Sequence, residues 1–368
     1  MTIEMTAQTV GAPPATGGVD ESKAEAFVGR ALTDASGFAT TLLAGIGDRL
    51  GLWKALADHG PLTSAELADR AEVDERYARE WLGGMTAATY VDYSPENGTW
   101  ALPDEHAPVL AEEGGPVFFG GTFQMLHGMS SVHDELLKVF RTGGGVRQEA
   151  YHQDMWDGME RFTAGWFENH LIQEWLPALP EVDAALRAGA MVADVGCGRG
   201  RGLIRLAQAY PDATFVGIDA FHGTIEDARA NIAAAGLSDR ITILHADGSE
   251  EIPGDYDVIF TFDVVHDAVD PAGLLRRIRS ALRPGGIYVC LDINASHHLE
   301  DNVGPLGALF HGCSVMYCMT TSLAHGGSGL GTVGFNETVA RSMCDAAGFS
   351  SVRRVPMENP FNILYEIR

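Results

Sequence analysis

The chain is poor in cysteine and in basic residues, and it has no long apolar run. Five cysteines among 368 residues (Cys197, Cys290, Cys313, Cys318 and Cys344) are too few and too unevenly spaced for a disulfide framework, so a reducing cytoplasm is the expected setting. Lysine and arginine number 25 against 50 acidic residues, a formal charge of −25. A field of that sign repels phosphate backbones and anionic lipid, which argues against nucleic acid and membrane surfaces as partners. No stretch of about 18 apolar residues occurs, so no membrane span is predicted. The first twenty residues are rich in Thr, Gly, Pro and Ala and lack the basic start and apolar run of a signal peptide; they are expected to be disordered. Apolar residues at 46% and charged residues at 20% are ordinary for a globular chain, and the length allows a sizeable core.

Three zones follow. In residues 21–113, Leu43, Ile46, Leu50 and Trp53 fall at helical spacing. Thr63-Ser64-Ala65-Glu66 reads as a capping box, and a further helix is predicted over Asp74 to Ala88, with Tyr77, Trp81 and Met85 on one face. Two short strands, Tyr90 to Tyr93 and Thr99 to Leu102, are joined by Pro95-Glu96-Asn97-Gly98, where Asn-Gly favours a hairpin. Helices followed by a hairpin give a winged-helix layout. Its recognition helix carries Asp74, Glu75, Arg76, Arg79 and Glu80, with no basic stripe for phosphates, so dimerisation is the expected role.

Residues 114–187 are rich in aromatics and methionine: Phe118, Phe119, Phe123, Met125, Tyr151, Met155, Trp156, Met159, Phe162, Trp166 and Phe167. Val132, Leu136, Val139 and Phe140 form one helical stripe, ended by Gly143-Gly144-Gly145. Such side chains either pack between domains or roof an apolar substrate pocket.

In residues 188–368 strands and helices alternate: Met191 to Val195, Thr214 to Ile218, Ile241 to His245, Tyr256 to Phe262 and Ile287 to Leu291, with helices between most of them. A helix near Glu337 to Ala347 and two closing strands, Val352 to Pro356 and Asn362 to Ile367, complete the pattern. The fold class is therefore α/β: a Rossmann-like, mostly parallel sheet with an antiparallel edge strand, preceded by a mainly α winged-helix domain.

The first strand runs into Asp194-Val195-Gly196-Cys197-Gly198-Arg199-Gly200. This is not the dinucleotide spacing G-x-G-x-x-G, because Arg201 stands where the third glycine belongs when the count starts at Gly196. An acid two residues before the first glycine suits a cationic amino group rather than a pyrophosphate. Asp219 ends the second strand, where a ribose-binding acid belongs, and Asp247-Gly248 follows the third. The set resembles a class I S-adenosylmethionine-dependent methyltransferase. The resemblance places Asp194, Gly196, Gly198 and Gly200 around the methionine end of S-adenosylmethionine, Asp219 at its ribose, Asp247 and Gly248 at its adenine, and Phe262 against the cofactor. S-adenosylhomocysteine would be the product.

Over residues 25 to 368 the chain also resembles mycobacterial-type methyltransferases with an N-terminal winged-helix dimerisation domain, and plant-type small-molecule O-methyltransferases. The former resemblance implies a homodimer; the latter makes His266, in Phe260 to Asp267, the general base, oriented by Asp292. This sequence has Asp292 where that family has Glu, and Ala268 where it usually has Trp. Base catalysis by histidine typically contributes about 10²–10⁴-fold. Methyl transfer to nitrogen, sulfur or carbon by positioning alone remains an alternative, as does a cofactor-sensing regulator without catalysis. A nicotinamide oxidoreductase is disfavoured by the glycine spacing. His297, His298, His311, Cys313, Cys318 and His325 lack the paired spacing of a zinc site, so no metal is expected. Leu306 to Gly334, apolar and then glycine-rich, reads as a lid.

Overall fold

A computed structural model describes residues 19–368; the disorder expected of the first twenty residues falls almost wholly outside that range. The N-terminal helices start where side chains supply the missing hydrogen bonds. Asp20 caps α1 (Glu21–Arg49), and α2 (Leu52–His59) follows a left-handed Gly51. Thr63 and Glu66 form a complete capping box on α3 (Ser64–Ala71), a motif whose loss typically costs about 1 kcal/mol. Asp74 caps α4 (Glu75–Ala87). The wing is β1 (Asp92–Ser94) paired antiparallel with β2 (Thr99–Ala101). Trp53 and Trp81 meet edge to face at 4.6 Å in the small core beneath.

Two stripes differ from the periodic reading. The chain breaks at Leu50-Gly51, so Trp53 lies on a second helix while Ile46 and Leu50 stay exposed. Tyr77 faces solvent, and Trp81 and Met85 fill the core without it.

After α5 (Ala107–Leu110) come α6 (Gly120–Ser130), α7 (His133–Thr142) and α8 (Asp154–Trp166). Helices α6 and α8 pack backbone to backbone. A Cβ on Gly128 would lie 2.6 Å from Met155 Cα, and one on Gly158 would lie 2.7 Å from Met125 Cα. On α7, Leu136 is buried and Phe140 is exposed, so the predicted stripe is only half used. A π-helical segment, Phe167–Trp175, continues α8. Then α9 (Pro180–Arg187) leads into the sheet.

The sheet is β3 (Met191–Val195), β4 (Thr214–Asp219), β5 (Ile241–His245), β6 (Tyr256–Phe262), β7 (Leu282–Ile293), β8 (Val352–Val355) and β9 (Asn362–Ile367), in the order β5-β4-β3-β6-β7-β9-β8. The first five strands in that order are parallel; β9 is antiparallel to β7 and β8 to β9. Helices α10 (Arg201–Ala209), α11 (His222–Ala234), α12 (Pro271–Ala281) and α15 (Glu337–Ala346) cover its faces. Between β7 and α15, α13 (Pro305–Cys313), a π-helical segment Ser314–Cys318 and α14 (Met319–Ala324) form one bent rod. Strand order reverses between β3 and β6, the place where open α/β sheets hold ligands. No described helix is long and apolar enough to cross a membrane.

Candidate active site

Gly196 and the turn after β6 meet at this reversal. Gly196 has φ +78°, and a Cβ there would collide with Val264. Gly198 and Gly200 also take positive φ, which glycine adopts without steric penalty. The loop therefore exposes backbone. Asp194 is buried in β3, and its Oδ1 has no hydrogen-bond partner. Burial, reinforced by Asp219, pushes its carboxyl up to about 8. A cation placed here would satisfy the oxygen and ionise the acid.

Asp219 is held by the loop it faces. Its Oδ2 accepts from Gly198 N–H at 2.8 Å and its Oδ1 from Phe221 N–H at 2.8 Å. Burial raises its pKa against these donors. Asp247 lies just past β5 and accepts from Ser249 N–H at 2.8 Å. A Cβ on Gly248 would sit 2.6 Å from Val195 Cγ1, so this loop is pressed against the end of β3. Phe262 stacks on Phe260 at 5.5 Å and meets Phe167 edge to face at 5.1 Å. Asp194, the glycine loop, Asp219 and Gly248 thus lie together at the ends of β3, β4 and β5. Beside them, Arg199 bonds Glu160 at 2.6 Å, Asp157 at 2.9 Å and Asp227 at 3.0 Å. The unpartnered acid and the exposed loop backbone fit the amino group and the extended body of S-adenosylmethionine.

His266 lies buried in the turn after β6. Its Nδ1 is 2.7 Å from Asp292 Oδ1, and its Nε2 is 3.2 Å from Asp267 Oδ1. Asp263 has φ +56°, a left-handed conformation that costs a non-glycine residue about 1–3 kcal/mol. Asn362 Nδ2 donates to its Oδ1 at 2.7 Å. Burial, then Asp292, raises the Asp263 carboxyl to about 7. Burial alone would lower the His266 pKa, but Asp267 and Asp292 together carry it well above the ordinary histidine value. Cys318 Sγ also approaches this cluster and accepts from Thr332 Oγ1 at 3.0 Å.

Aromatic side chains of α8 meet rings from other elements. Trp156 stacks on Phe221 at 4.7 Å and meets Tyr317 at 5.8 Å. Phe361 is 6.0 Å from Phe162 and 6.1 Å from Trp166. Trp156, Met159, Phe162 and Trp166 are half-buried on α8, whereas Met155 and Tyr151 are fully packed. The aromatic zone therefore divides into fully packed and half-buried side chains.

Two family models match the chain. Residues 38–112 match the Rv2258c-like winged HTH domain, and residues 186–325 match a methyltransferase domain. The chain joins an Rv2258c-like winged-helix domain to a methyltransferase domain. Among relatives, the mitomycin biosynthesis 6-O-methyltransferase of Streptomyces lavendulae is 26% identical over 268 residues, 66% of this chain and 74% of that protein. The ubiquinone biosynthesis O-methyltransferase of Ruegeria pomeroyi is 34% identical over 107 residues, 29% of this chain and 42% of its own length. The chain thus spans less than half of that relative, and 60% of the corresponding Pseudomonas paraeruginosa protein. The fold matches human N-acetylserotonin methyltransferase, solved with S-adenosylmethionine, with a TM-score of 0.69 at 16% identity over 96% of this chain and 99% of the human one.

The methyltransferase domain also holds residues to which the sequence alone assigned no role. Asp263 and Asp267 flank His266 within the motif, and their spacing of three and one was the available signal. Asn362, Tyr317 and Cys318 arrive from distant elements and carried none. The histidines and cysteines between His297 and His325 form no common cluster among the described residues. His127, His152 and Asp154 do converge, but Arg49 lies 2.5 Å from that carboxylate and already neutralises it.

Proposed function

We propose that the chain is an S-adenosylmethionine-dependent methyltransferase that methylates a hydroxyl group of a small molecule. The observation that carries this reading is that the unpartnered Asp194 oxygen and the buried His266, paired with Asp292, belong to the two segments, the glycine loop and the turn after β6, that meet where Gly196 abuts Val264. Asp194 with Gly196, Gly198 and Gly200 would hold the methionine end, Asp219 the ribose hydroxyls, and Asp247 with Gly248 the adenine, while Phe262 packs alongside. The bound cofactor supplies a methyl group already activated on a sulfonium.

The chain's own part is to align the acceptor, exclude water and take a proton. His266 donates Nδ1–H to Asp292, which leaves Nε2 as the atom that receives the hydroxyl proton. Asp292 holds the ring and stabilises the imidazolium that forms. The roof of α8 and the rod from α13 to α14 keep the reaction dry. An amine, thiol or carbon acceptor would need only alignment, and the buried histidine–carboxylate pair favours oxygen. The relatives above are themselves named for O-methylation.

The domain plan belongs to the same proposal: residues 21–113 dimerise, 114–187 cap the acceptor site and 188–368 hold the cofactor. On α1, Phe27, Val28, Leu32 and Phe38 are 71%, 67%, 70% and 61% exposed, a surface suited to a second copy of this chain. A regulator role is disfavoured, because both arginines that open α4 are paired on their own helix, Arg76 with Glu80 and Arg79 with Glu75. All five cysteines are free, in keeping with a reducing cytoplasm.

Isothermal titration with S-adenosylhomocysteine and with NADH tests the cofactor assignment. Binding of the first alone, weakened at least about tenfold in Asp219→Asn, is the expected result. Binding of NADH alone would overturn it.

A further inference from the structure

Among the described residues, the groups tied to the His266 cluster are acids, a thiol and an amide, with no permanent cation. Residues 263–270, 294–336 and 356–362, which include the rod from α13 to α14 and the Phe361 turn, hold no lysine or arginine. Of their other histidines, His297, His298 and His325 are exposed, and His311, whose buried Nε2 has no hydrogen-bond partner, carries no permanent charge. On α8 the one cation is Arg161, and its guanidinium is turned to Asp48 at 2.7 Å and Glu113 at 2.6 Å. Arg147, beside the Gln148 that donates to Tyr317 Oη, is mostly exposed and lies 3.7 Å from Glu149. Arg199 is taken up by three carboxylates.

Against this stand Asp263, Asp267 and Asp292, all close to the single imidazole. The buried Asp267 Oδ1 lies 3.2 Å from His266 Nε2 and has no other polar partner. We infer that the acceptor is an uncharged aromatic compound and that the site rejects acids. This rests on the methyltransferase reading and adds a charge rule to it. A carboxylate brought in with the acceptor would lose its water, meet no cation and face Asp267 across a poorly screened gap. A neutral phenol instead offers its one proton to His266 Nε2 and its ring to Trp156, Phe162, Tyr317 and Phe361.

The test uses 6-hydroxy-2-naphthoic acid and its methyl ester, which differ in charge at nearly constant shape. Equilibrium dialysis of the full chain at about pH 8, with excess S-adenosylhomocysteine, gives both affinities and cofactor retention. The ester should bind at least about tenfold more tightly than the acid, because like charges repel in a site of low dielectric. Asp267→Asn should narrow that ratio. Equal binding of acid and ester to wild type, or no binding of either at millimolar concentration, overturns the inference. Loss of S-adenosylhomocysteine retention would instead strike the methyltransferase reading, and the ester-to-acid ratio measured without it would still decide the charge rule.

Discussion

His266 and Asp292, 26 residues apart in sequence, place Nδ1 and Oδ1 2.7 Å apart in the interior of the sheet end. Strand register explains the meeting. Phe262 on β6 lies beside Leu291 on β7, so the turn that follows β6 folds back over Asp292, the last residue but one of β7. Asp292 Oδ1 also accepts from Ile293 N–H at 2.8 Å, which fixes the carboxylate before the imidazole arrives.

The pair should behave as one unit. His266→Ala is expected to lower kcat by about 10²–10⁴-fold while leaving S-adenosylhomocysteine affinity unchanged. Asp292→Asn should lower kcat by a smaller factor, and the double variant should be no worse than His266→Ala alone. Additive losses in single-turnover rates would separate the two residues.

The carboxylates around His266 give a signed pH dependence. Asp267 and Asp292 raise its pKa well above the usual value despite burial, so the neutral base becomes abundant only on the alkaline side. The rising limb of kcat against pH should therefore lie above the ordinary histidine range. Asp267→Asn removes one negative neighbour and should move that limb down. The same shift acts on stability: the charged cluster contributes fully below the unfolded histidine pKa, and its contribution is lost as pH rises through the folded one. A limb unmoved by Asp267→Asn would contradict this assignment.

Asp194 should report cofactor binding through protons. Burial and Asp219 hold its carboxyl at about 8, so it is mostly protonated at neutral pH. An ammonium group beside Oδ1 favours the ionised form, and binding S-adenosylhomocysteine at about pH 7 should release close to one proton. Titration calorimetry in buffers of different ionisation enthalpy measures that number. Asp194→Asn should abolish the release, and an unchanged release in that variant would assign the proton elsewhere.

The exposed face of α1 sets the oligomeric prediction. Wild type should elute with light-scattering mass twice that of the 39.4 kDa chain. Phe27→Asp with Leu32→Asp should yield monomers of unchanged helix content, since neither side chain supports the chain's own core. A monomeric wild type would leave this apolar face without the partner assigned to it.

Much of this molecule could be read from local patterns. The bounds of β3, β5, β6 and β9 follow from short apolar runs closed by turn residues, and the capping box at Thr63 and Glu66 was readable because its bonds are local. The Asp194 and Asp219 positions follow from strand ends. What stayed hidden depends on contacts distant in sequence or on small backbone departures. The break at Leu50-Gly51 interrupts an otherwise continuous apolar stripe. The left-handed Asp263 looks like any acid after a strand, and its partner Asn362 is 99 residues away. Gly128 and Gly158 read as helix-weakening residues until α6 and α8 press together. The π-helical segment that carries Tyr317 and Cys318 to the site has no periodic signature of its own.

The most direct measurement supplies methyl-deuterated S-adenosylmethionine to wild type and to His266→Ala in an extract of the source cells, followed by mass spectrometry. A deuterated O-methyl product formed by wild type and nearly absent with His266→Ala is the predicted result. A product formed equally by both would contradict the role of His266, and no labelled product despite retained cofactor binding would contradict the enzyme assignment itself.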